Sequence, residues 1–320
     1  MKTILLSFPD GQVAEDYLAQ VKNLAPEARV IVTRDHHAIE AVWDEIEIVA
    51  GWLQPDLLLK LPHLRWYQQL AVGIDWLLQH PEGVERDFIL TNASGVHVVP
   101  MSELIFAFLL AFGRGLPAAQ RAQIQGEWVY PKGNSLFTLA GKTIVLIGVG
   151  GIGARAARIA AALGMRVIGA RRNPTVPVWD VEKMVGRDQL PDVLPEADFV
   201  VLTLPLTGET QHFITKRELQ WMKPSAYLIN IGRGPVVHEA DLVEALQAGT
   251  IAGAGLDVFE TEPLPKDSPL WKMERVIITA HYASSIPNYY AQVMSIFLDN
   301  LRRYQAGEML RNVVDKKRGY

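Results

Sequence analysis

The chain has 320 residues, 49 % hydrophobic and 21 % charged, with a formal net charge of −4 and no cysteine. That composition describes a soluble globular protein long enough for two domains. It excludes a disulfide framework and thiolate chemistry, and gives no electrostatic reason to expect nucleic acid or an anionic membrane as partner.

The opening MKTILLSF is too short for a signal h-region with a cleavage site and reads as a first strand. Further strand-like runs are Arg29–Thr33, Glu47–Gly51, Arg65–Leu70 and Phe88–Asn92. Between the first two strands, Val13, Tyr17, Leu18, Val21 and Leu24 form a helical stripe. This alternation predicts a parallel sheet with helices on both faces. Ala71-Val72-Gly73-Ile74-Asp75 reads from spacing as a strand-to-helix turn with Asp75 as cap.

Met101–Phe112 is apolar on nearly every face and predicts a helix buried between layers or domains, leading into a second domain. The longest apolar run, Leu104–Phe112, cannot span a bilayer. A cytoplasmic protein is expected. Trp128 and Tyr130, beside Pro131 and Gly133, predict an exposed aromatic loop that meets a second subunit or closes over a site.

The most informative stretch follows. Thr143–Ile147 reads as a strand buried on both faces, and Gly148-Val149-Gly150-Gly151-Ile152-Gly153 is a G-x-G-x-x-G. Ile152, Ala156, Ile159, Ala160 and Leu163 continue at helical spacing, Gly164 stands where the helix ends, and Val167–Gly169 forms the next strand. A lone glycine fingerprint is weak, but here it sits between strand and helix in a βαβ unit, the context dinucleotide binding needs. Gly148 permits the tight turn, Gly150 lets a pyrophosphate approach, and Gly153 lets the helix pack closely, its N-terminus facing the phosphate charge. At 18 residues beyond Gly153, where NAD-binding chains carry an acid, stand Arg171 and Arg172. Guanidinium groups grip a 2′-phosphate that an aspartate would repel, so NADP(H) is preferred and NAD(H) is the second choice.

Further βα units follow. Asp198–Leu204 ends in Pro205-Leu206-Thr207, with Thr207 or Thr210 available for capping, and Ala226–Ile231 ends in Gly232-Arg233-Gly234. A helix over 240–248 stops at Gly249, Ala252–Leu256 ends at Asp257, and Val276–Thr279 ends at His281. A final helix from about Pro287 to Gln305 carries Val293, Ile296, Phe297, Leu301 and Tyr304 on one face and suits a return to the first domain.

Ligands of open α/β sheets bind beyond the carboxyl ends of the strands, where Arg233, Asp257, Glu262 and His281 collect. Hydride transfer to a carbonyl asks for a cation on the substrate carboxylate, a proton donor, and a carboxylate that keeps the donor protonated. Arg233, His281 and Glu262 suit these tasks in turn, and Asp257 suits the nicotinamide amide or a supporting negative field. His36, His37, His63, His80, His97, His212 and His238 read as surface, and no metal site is expected.

These motifs, namely Gly148–Gly153, Asn230–Gly234, Gly253–Phe259 with Glu262-Pro263-Leu264, and Thr279-Ala280-His281, resemble those of the D-isomer-specific 2-hydroxyacid dehydrogenases, in family order and over essentially the whole chain. The resemblance implies an α/β architecture of two doubly wound parallel-sheet domains. A Rossmann domain (99–284) is inserted into a flavodoxin-like, discontinuous substrate domain (1–98 and 285–320), with the active site between them. It makes Arg233, Glu262 and His281 catalytic, and it overturns the plain-turn reading of Val72-Gly73, whose N–H groups join Arg233 in holding the substrate carboxylate. Implied cofactor contacts, with those of the glycine loop and the arginines, are Gly148, Gly150, Gly151, Ile152, Gly153, Arg171, Arg172, Leu204, Pro205, Thr210, Ile231, Gly232, Asp257, His281 and Ala283.

Ala280 departs from the family, which carries proline before the histidine, and Arg171 replaces the aspartate of NAD-preferring members. The chain leaves no room for the regulatory tail of many phosphoglycerate dehydrogenases, and Glu262 in place of glutamine argues against the formate dehydrogenase branch. The resulting expectation is a homodimeric NADPH-preferring reductase of small 2-oxo acids, glyoxylate or hydroxypyruvate, to D-2-hydroxy acids. The alternatives are a dehydrogenase for a branched or aromatic acid, its pocket shaped by Trp52, Leu53 and Trp76, and a dinucleotide-sensing scaffold of the corepressor type.

Overall fold

The β-branched runs near the N-terminus form one parallel sheet of β1 (Thr3–Ser7), β2 (Arg29–Val32), β3 (Ile46–Gly51), β4 (Trp66–Gln69) and β5 (Ile89–Thr91), in the order β2-β1-β3-β4-β5. The computed structural model describes residues 3–131, 133 and 136–320; Met1 and Lys2, which precede the predicted run Thr3–Ser7, lie outside the described residues. Leu5 stands beside Ile31 and Val49, and Val49 beside Tyr67, so the register aligns buried positions across the sheet. β1 is buried along its whole length, as a strand covered on both faces must be, whereas β2 is a half-exposed edge.

Two separate apolar clusters cover the two faces. On one, α1 (Glu15–Leu24) and the C-terminal helix Tyr289–Gln305 pack over Ile4, Leu6, Ile48 and Trp66 through Val21, Val293, Phe297 and Leu301. On the other, Ile39, Leu57, Leu58, Leu61 and Leu77 cover Leu5, Val49 and Tyr67. The helical spacing read from both helices is thus the spacing of their buried faces. Trp66 is fully buried, stacks on Phe297 (5.2 Å) and Tyr304 (5.5 Å), and donates its indole N–H to Thr91 Oγ1 at 2.8 Å. This cluster ties the last helix to a strand more than 200 residues earlier. Met1–Val96 and Ile286–Tyr320 accordingly form one unit, and His97–Ser285 the other.

The second unit opens with α2 (Val98–Gly113) and α3 (Leu116–Gln125), and then β6 (Thr143–Ile147), α4 (Gly151–Ala162), β7 (Arg166–Ala170), β8 (Lys183–Val185) and β9 (Phe199–Leu202). It closes with α5 (Lys216–Trp221), β10 (Tyr227–Asn230), α6 (Glu239–Ala248), β11 (Gly253–Leu256) and β12 (Val276–Ile278). All seven strands run parallel in the order β12-β11-β10-β9-β6-β7-β8. The chain moves outward from β6 in one direction, returns, and moves outward in the other, which leaves a switch point between β6 and β9. Among the described residues no single helix is long and apolar enough to cross a membrane.

The structure corrects the sequence expectations in several places. α2 is not buried on every face: Ile105, Phe106, Phe108 and Leu109 pack into the core, while Val99, Glu103, Ala107 and Leu110 form an exposed stripe. Leu163 lies past the buried face of α4, which is made instead by Ala156, Ala157 and Ala160. β8, α3 and α5 were not foreseen. β8 is a three-residue edge strand, and α3 has no buried residue to mark a stripe. α5 did carry a signal, the capping box Thr215-x-x-Glu218, whose carboxylate accepts from the Thr215 amide at 3.0 Å.

Truncating Trp66 to alanine should remove the indole contacts on both Phe297 and Tyr304. The expected loss is about 3–5 kcal/mol, the usual scale for a buried aromatic, read as a lower denaturation midpoint in urea. A shift under about 1 kcal/mol would show that the terminal helix is held by other contacts.

Candidate active site

The glycine-rich turn after β6 has the geometry that its spacing predicted. Gly148 has φ +100°, a conformation that side chains resist. A Cβ on Gly153 would stand 2.3 Å from the Gly148 carbonyl oxygen, whereas one on Gly150 would meet nothing within 4 Å. The helix therefore presses on the turn at Gly153 and leaves open space at Gly150, where a pyrophosphate would approach the chain. Gly151 and Ile152 form the first turn of α4, whose leading N–H groups lack intrahelical acceptors and face that space. The residues present thus fit a dinucleotide.

β7 ends at Ala170, and the two arginines follow. Arg171 Nε donates to the Asn173 carbonyl at 2.8 Å, while Arg172 Nη2 pairs with the Glu209 carboxylate. Beyond β9, Leu204 and Pro205 lead into a turn held by Thr210, whose hydroxyl accepts from the Thr207 amide (2.8 Å) and donates to the Pro205 carbonyl (2.6 Å). Thr210 therefore caps this turn, not a helix.

β10, β11 and β12 are neighbours in register, with Asn230 beside Leu256 and Leu256 beside Ile278. Their following loops therefore emerge side by side. Gly232 and Gly234 flank Arg233 because other loops press on the chain there: a Cβ would lie 2.8 Å from the Leu204 oxygen at Gly232, and 1.8 Å from the Phe259 oxygen at Gly234. Asn230 fixes the bend, its Nδ2 donating to the Arg233 carbonyl (3.0 Å) and its Oδ1 accepting from the Gly232 amide (3.1 Å).

His281 Nδ1 lies 2.6 Å from Glu262 Oε2, and Glu262 Oε1 accepts from the Phe259 amide at 3.0 Å. The carboxylate thus accepts a hydrogen bond from Nδ1–H and fixes the ring, which leaves Nε2 to exchange a proton outward. His281 is 45 % exposed and Glu262 34 %, so the dyad is open to a ligand while held on its inner side. His281 has φ +52°, a region few residues with side chains occupy.

Asp257 explains how that conformation persists. It is fully buried, and its carboxylate accepts from Thr279 Oγ1 (2.6 Å), the Tyr282 amide (3.1 Å) and the Ala283 amide (3.0 Å). Its own carbonyl accepts from the His281 amide at 2.8 Å. The carboxylate, expected to hold the nicotinamide amide or to add a negative field, grips residues 279–283 from within. Ala280 stands inside this grip. Ile231 and Ala283, also expected as cofactor contacts, are buried in the core behind the loop ends.

In the other unit, the Val72-Gly73 loop is shaped by its carbonyls. Gln69 Nε2 donates to the Ala71 and Gly73 oxygens (3.2 and 2.5 Å), and Asn92 Nδ2 to the Val72 oxygen (2.9 Å). A trans peptide places N–H opposite C=O, so carbonyls drawn inward turn the Val72 and Gly73 N–H groups outward. Asp75 is not the expected cap: Ile74 precedes the following short helix, with no side-chain cap. Leu53 is buried in the core, Trp52 is half exposed beneath Arg34, and Trp76 donates its indole N–H to Gln69 Oε1 at 2.7 Å.

His97 is a residue the sequence reading missed. Expected at the surface, it is buried, and its Nδ1–H donates to the Ser284 carbonyl at 3.1 Å. Its one signal was its place immediately before the apolar α2. Burial lowers its pKa from the ordinary 6.5, the Ser284 bond opposes that shift, and the nearby Arg233 charge adds to it. Burial thus works against the charged imidazolium in the folded chain. Below pH 6.5 the unfolded chain takes a proton that the folded chain refuses, so stability is complete above that pH and falls as pH drops toward the folded pKa. His97→Gln should flatten the loss of stability as pH falls below about 6.5 in denaturation curves taken at each pH. An unchanged slope would show that His97 does not contribute to it.

Residues 106–283 match the model of the D-isomer specific 2-hydroxyacid dehydrogenase family, NAD binding domain. The chain is 34 % identical over 301 residues to the glyoxylate reductase of Korarchaeum cryptofilum, covering 92 % of this chain and 89 % of that protein. It is similar in structure to an NADPH-dependent glyoxylate/hydroxypyruvate reductase of Sinorhizobium meliloti in complex with NADP and sulfate, with a TM-score of 0.85, 30 % identity, and coverage of 100 % of this chain and 99 % of the other. A second similar structure is a D-isomer specific 2-hydroxyacid dehydrogenase of Xanthobacter autotrophicus in complex with NADPH and MES, with a TM-score of 0.83, 33 % identity and 99 % coverage of each chain.

Proposed function

Because this chain belongs to the D-isomer specific 2-hydroxyacid dehydrogenases, we propose that it reduces small 2-oxo acids, glyoxylate and hydroxypyruvate first among them, to D-2-hydroxy acids with NADPH as preferred reductant. The observation that carries this reading is the His281–Glu262 dyad at 2.6 Å beside the Arg233 loop, on three adjacent strand ends.

A bound nicotinamide would supply the hydride. The chain's residues do the rest. Arg233 orients the substrate carboxylate and polarises its carbonyl, and in the other unit the outward Val72 and Gly73 N–H groups suit a substrate carboxylate. His281 Nε2 donates the proton that neutralises the forming alkoxide, while Glu262 on Nδ1 stabilises the imidazolium before transfer. Asp257 keeps the imidazole in place. The glycine loop of Gly148, Gly150 and Gly153 would seat the pyrophosphate, and Arg171 with Arg172 the 2′-phosphate. That preference is supported by the arginines at the end of β7 and by the NADPH and NADP complexes of similar proteins.

The protein is read as a cytoplasmic homodimer. Support for the dimer comes from the exposed Val99, Ala107 and Leu110 of α2 and from Trp128 and Tyr130, whose side chains stand in solvent.

The direct test is NADPH and NADH oxidation by the purified protein, side by side, with glyoxylate, hydroxypyruvate, pyruvate and phenylpyruvate. Faster turnover of the first two with NADPH is expected, and activity on phenylpyruvate alone would keep the mechanism and replace the substrate. His281→Ala should reduce kcat about 10²–10⁴-fold, the scale of a general acid, with NADPH binding by fluorescence titration nearly unchanged. Undiminished turnover would remove His281 from the mechanism.

A further inference from the structure

The acid that holds Arg172 has no part in the chemistry above. Glu209 lies in the turn after β9, and Thr210 fastens that turn to the Thr207 amide and the Pro205 carbonyl. Its carboxylate pairs with Arg172, which follows β7, and its carbonyl accepts from Arg187 Nη1, which follows β8, at 3.4 Å. Arg187 is itself laid over the Phe213 ring, 4.5 Å from its centre. One carboxylate thus holds an arginine at the end of the second βαβ strand, where a 2′-phosphate would be recognised.

We propose that Glu209 determines how strongly the chain discriminates NADPH from NADH, by occupying Arg172 as an internal anion that a 2′-phosphate must displace. The proposal rests on the NADPH preference argued above. Both partners are largely exposed, at 51 % and 72 %, so the pair is an easily broken one. An exposed ion pair of this kind is worth at most about fivefold in an equilibrium constant. A phosphate dianion with three acceptor oxygens outcompetes one carboxylate for the guanidinium, yet it must both break this pair and approach a negative charge. Glu209 therefore lowers affinity for the phosphorylated cofactor and leaves the unphosphorylated one untouched.

The test uses adenosine 2′,5′-bisphosphate and adenosine 5′-monophosphate as probes, which share the adenosine and differ at the 2′-phosphate. Their dissociation constants are measured by calorimetry on the wild-type chain, Glu209→Gln, Arg172→Gln and the double variant. Glu209→Gln should tighten the bisphosphate roughly 3- to 10-fold, combining a released ion pair with relieved repulsion, and leave the monophosphate within twofold. The gain should shrink at high salt and should fall to the share due to repulsion alone in the Arg172→Gln background. Equal changes for both probes, no change for either, or a gain undiminished by loss of Arg172 would each overturn the proposal. If the wild-type chain itself binds the two probes equally, the NADPH reading fails, and this proposal with it. If it prefers the bisphosphate and Glu209→Gln does not alter that preference, only the role of Glu209 is lost.

Discussion

A single buried carboxylate organises the reactive end of the seven-stranded sheet. Asp257 is fully enclosed, and an enclosed charge is costly unless every lone pair finds a donor. It finds them in Thr279, Tyr282 and Ala283, all from the strand end that carries His281. The need to satisfy the charge and the need to hold the imidazole are met by the same bonds. Removing the carboxylate would leave the Tyr282 and Ala283 amides without their acceptor, at about 1–3 kcal/mol for a buried one, and would loosen the segment in which His281 takes its left-handed φ.

Around that anchor, close backbone approach does what side-chain bonds do not. Gly234 lets the loop after β10 lie against Phe259, and Gly232 lets it lie against Leu204, so Arg233 is delivered between the turns after β9 and β11. Glu262 returns to the Phe259 amide and so closes its loop on itself. Strand order makes this possible: three consecutive βα units place β10, β11 and β12 side by side, and residues far apart in the chain share one edge. The reacting groups thus sit on rigid elements with little conformational freedom left to lose when a ligand arrives.

The sequence made this edge legible because each reactive residue follows an apolar run and each run was recognisable. Arg233, Glu262 and His281 were named from that placement, and the structure brings Glu262 to His281 as foreseen. Gly148 and Gly153 were legible for a stronger reason, since only particular backbone geometries demand glycine at fixed offsets. What could not be read was direction. Asp257 follows a strand like its neighbours, but nothing local says whether its carboxylate faces a ligand or the protein interior. His97 failed in the same way: a histidine before an apolar helix looks the same whether solvent or Ser284 receives its proton. The pairing of Arg172 with Glu209 spans 37 residues and two strands, beyond the reach of any spacing rule.

The discontinuity of the first unit carries a consequence for how the protein comes into being. Its five strands precede the inserted unit in the chain, but part of the cover for one face of that sheet, with Phe297 and Tyr304 stacked on Trp66, follows it. The inserted unit, continuous from His97 to Ser285, has all its own strands before that cover is made. Synthesis therefore reverses the usual N-terminal-first order. The middle of the chain can fold while the beginning waits, with Ile4, Leu6 and Ile48 covered only from the α1 side and Trp66 without its stacking partners until the last helix emerges.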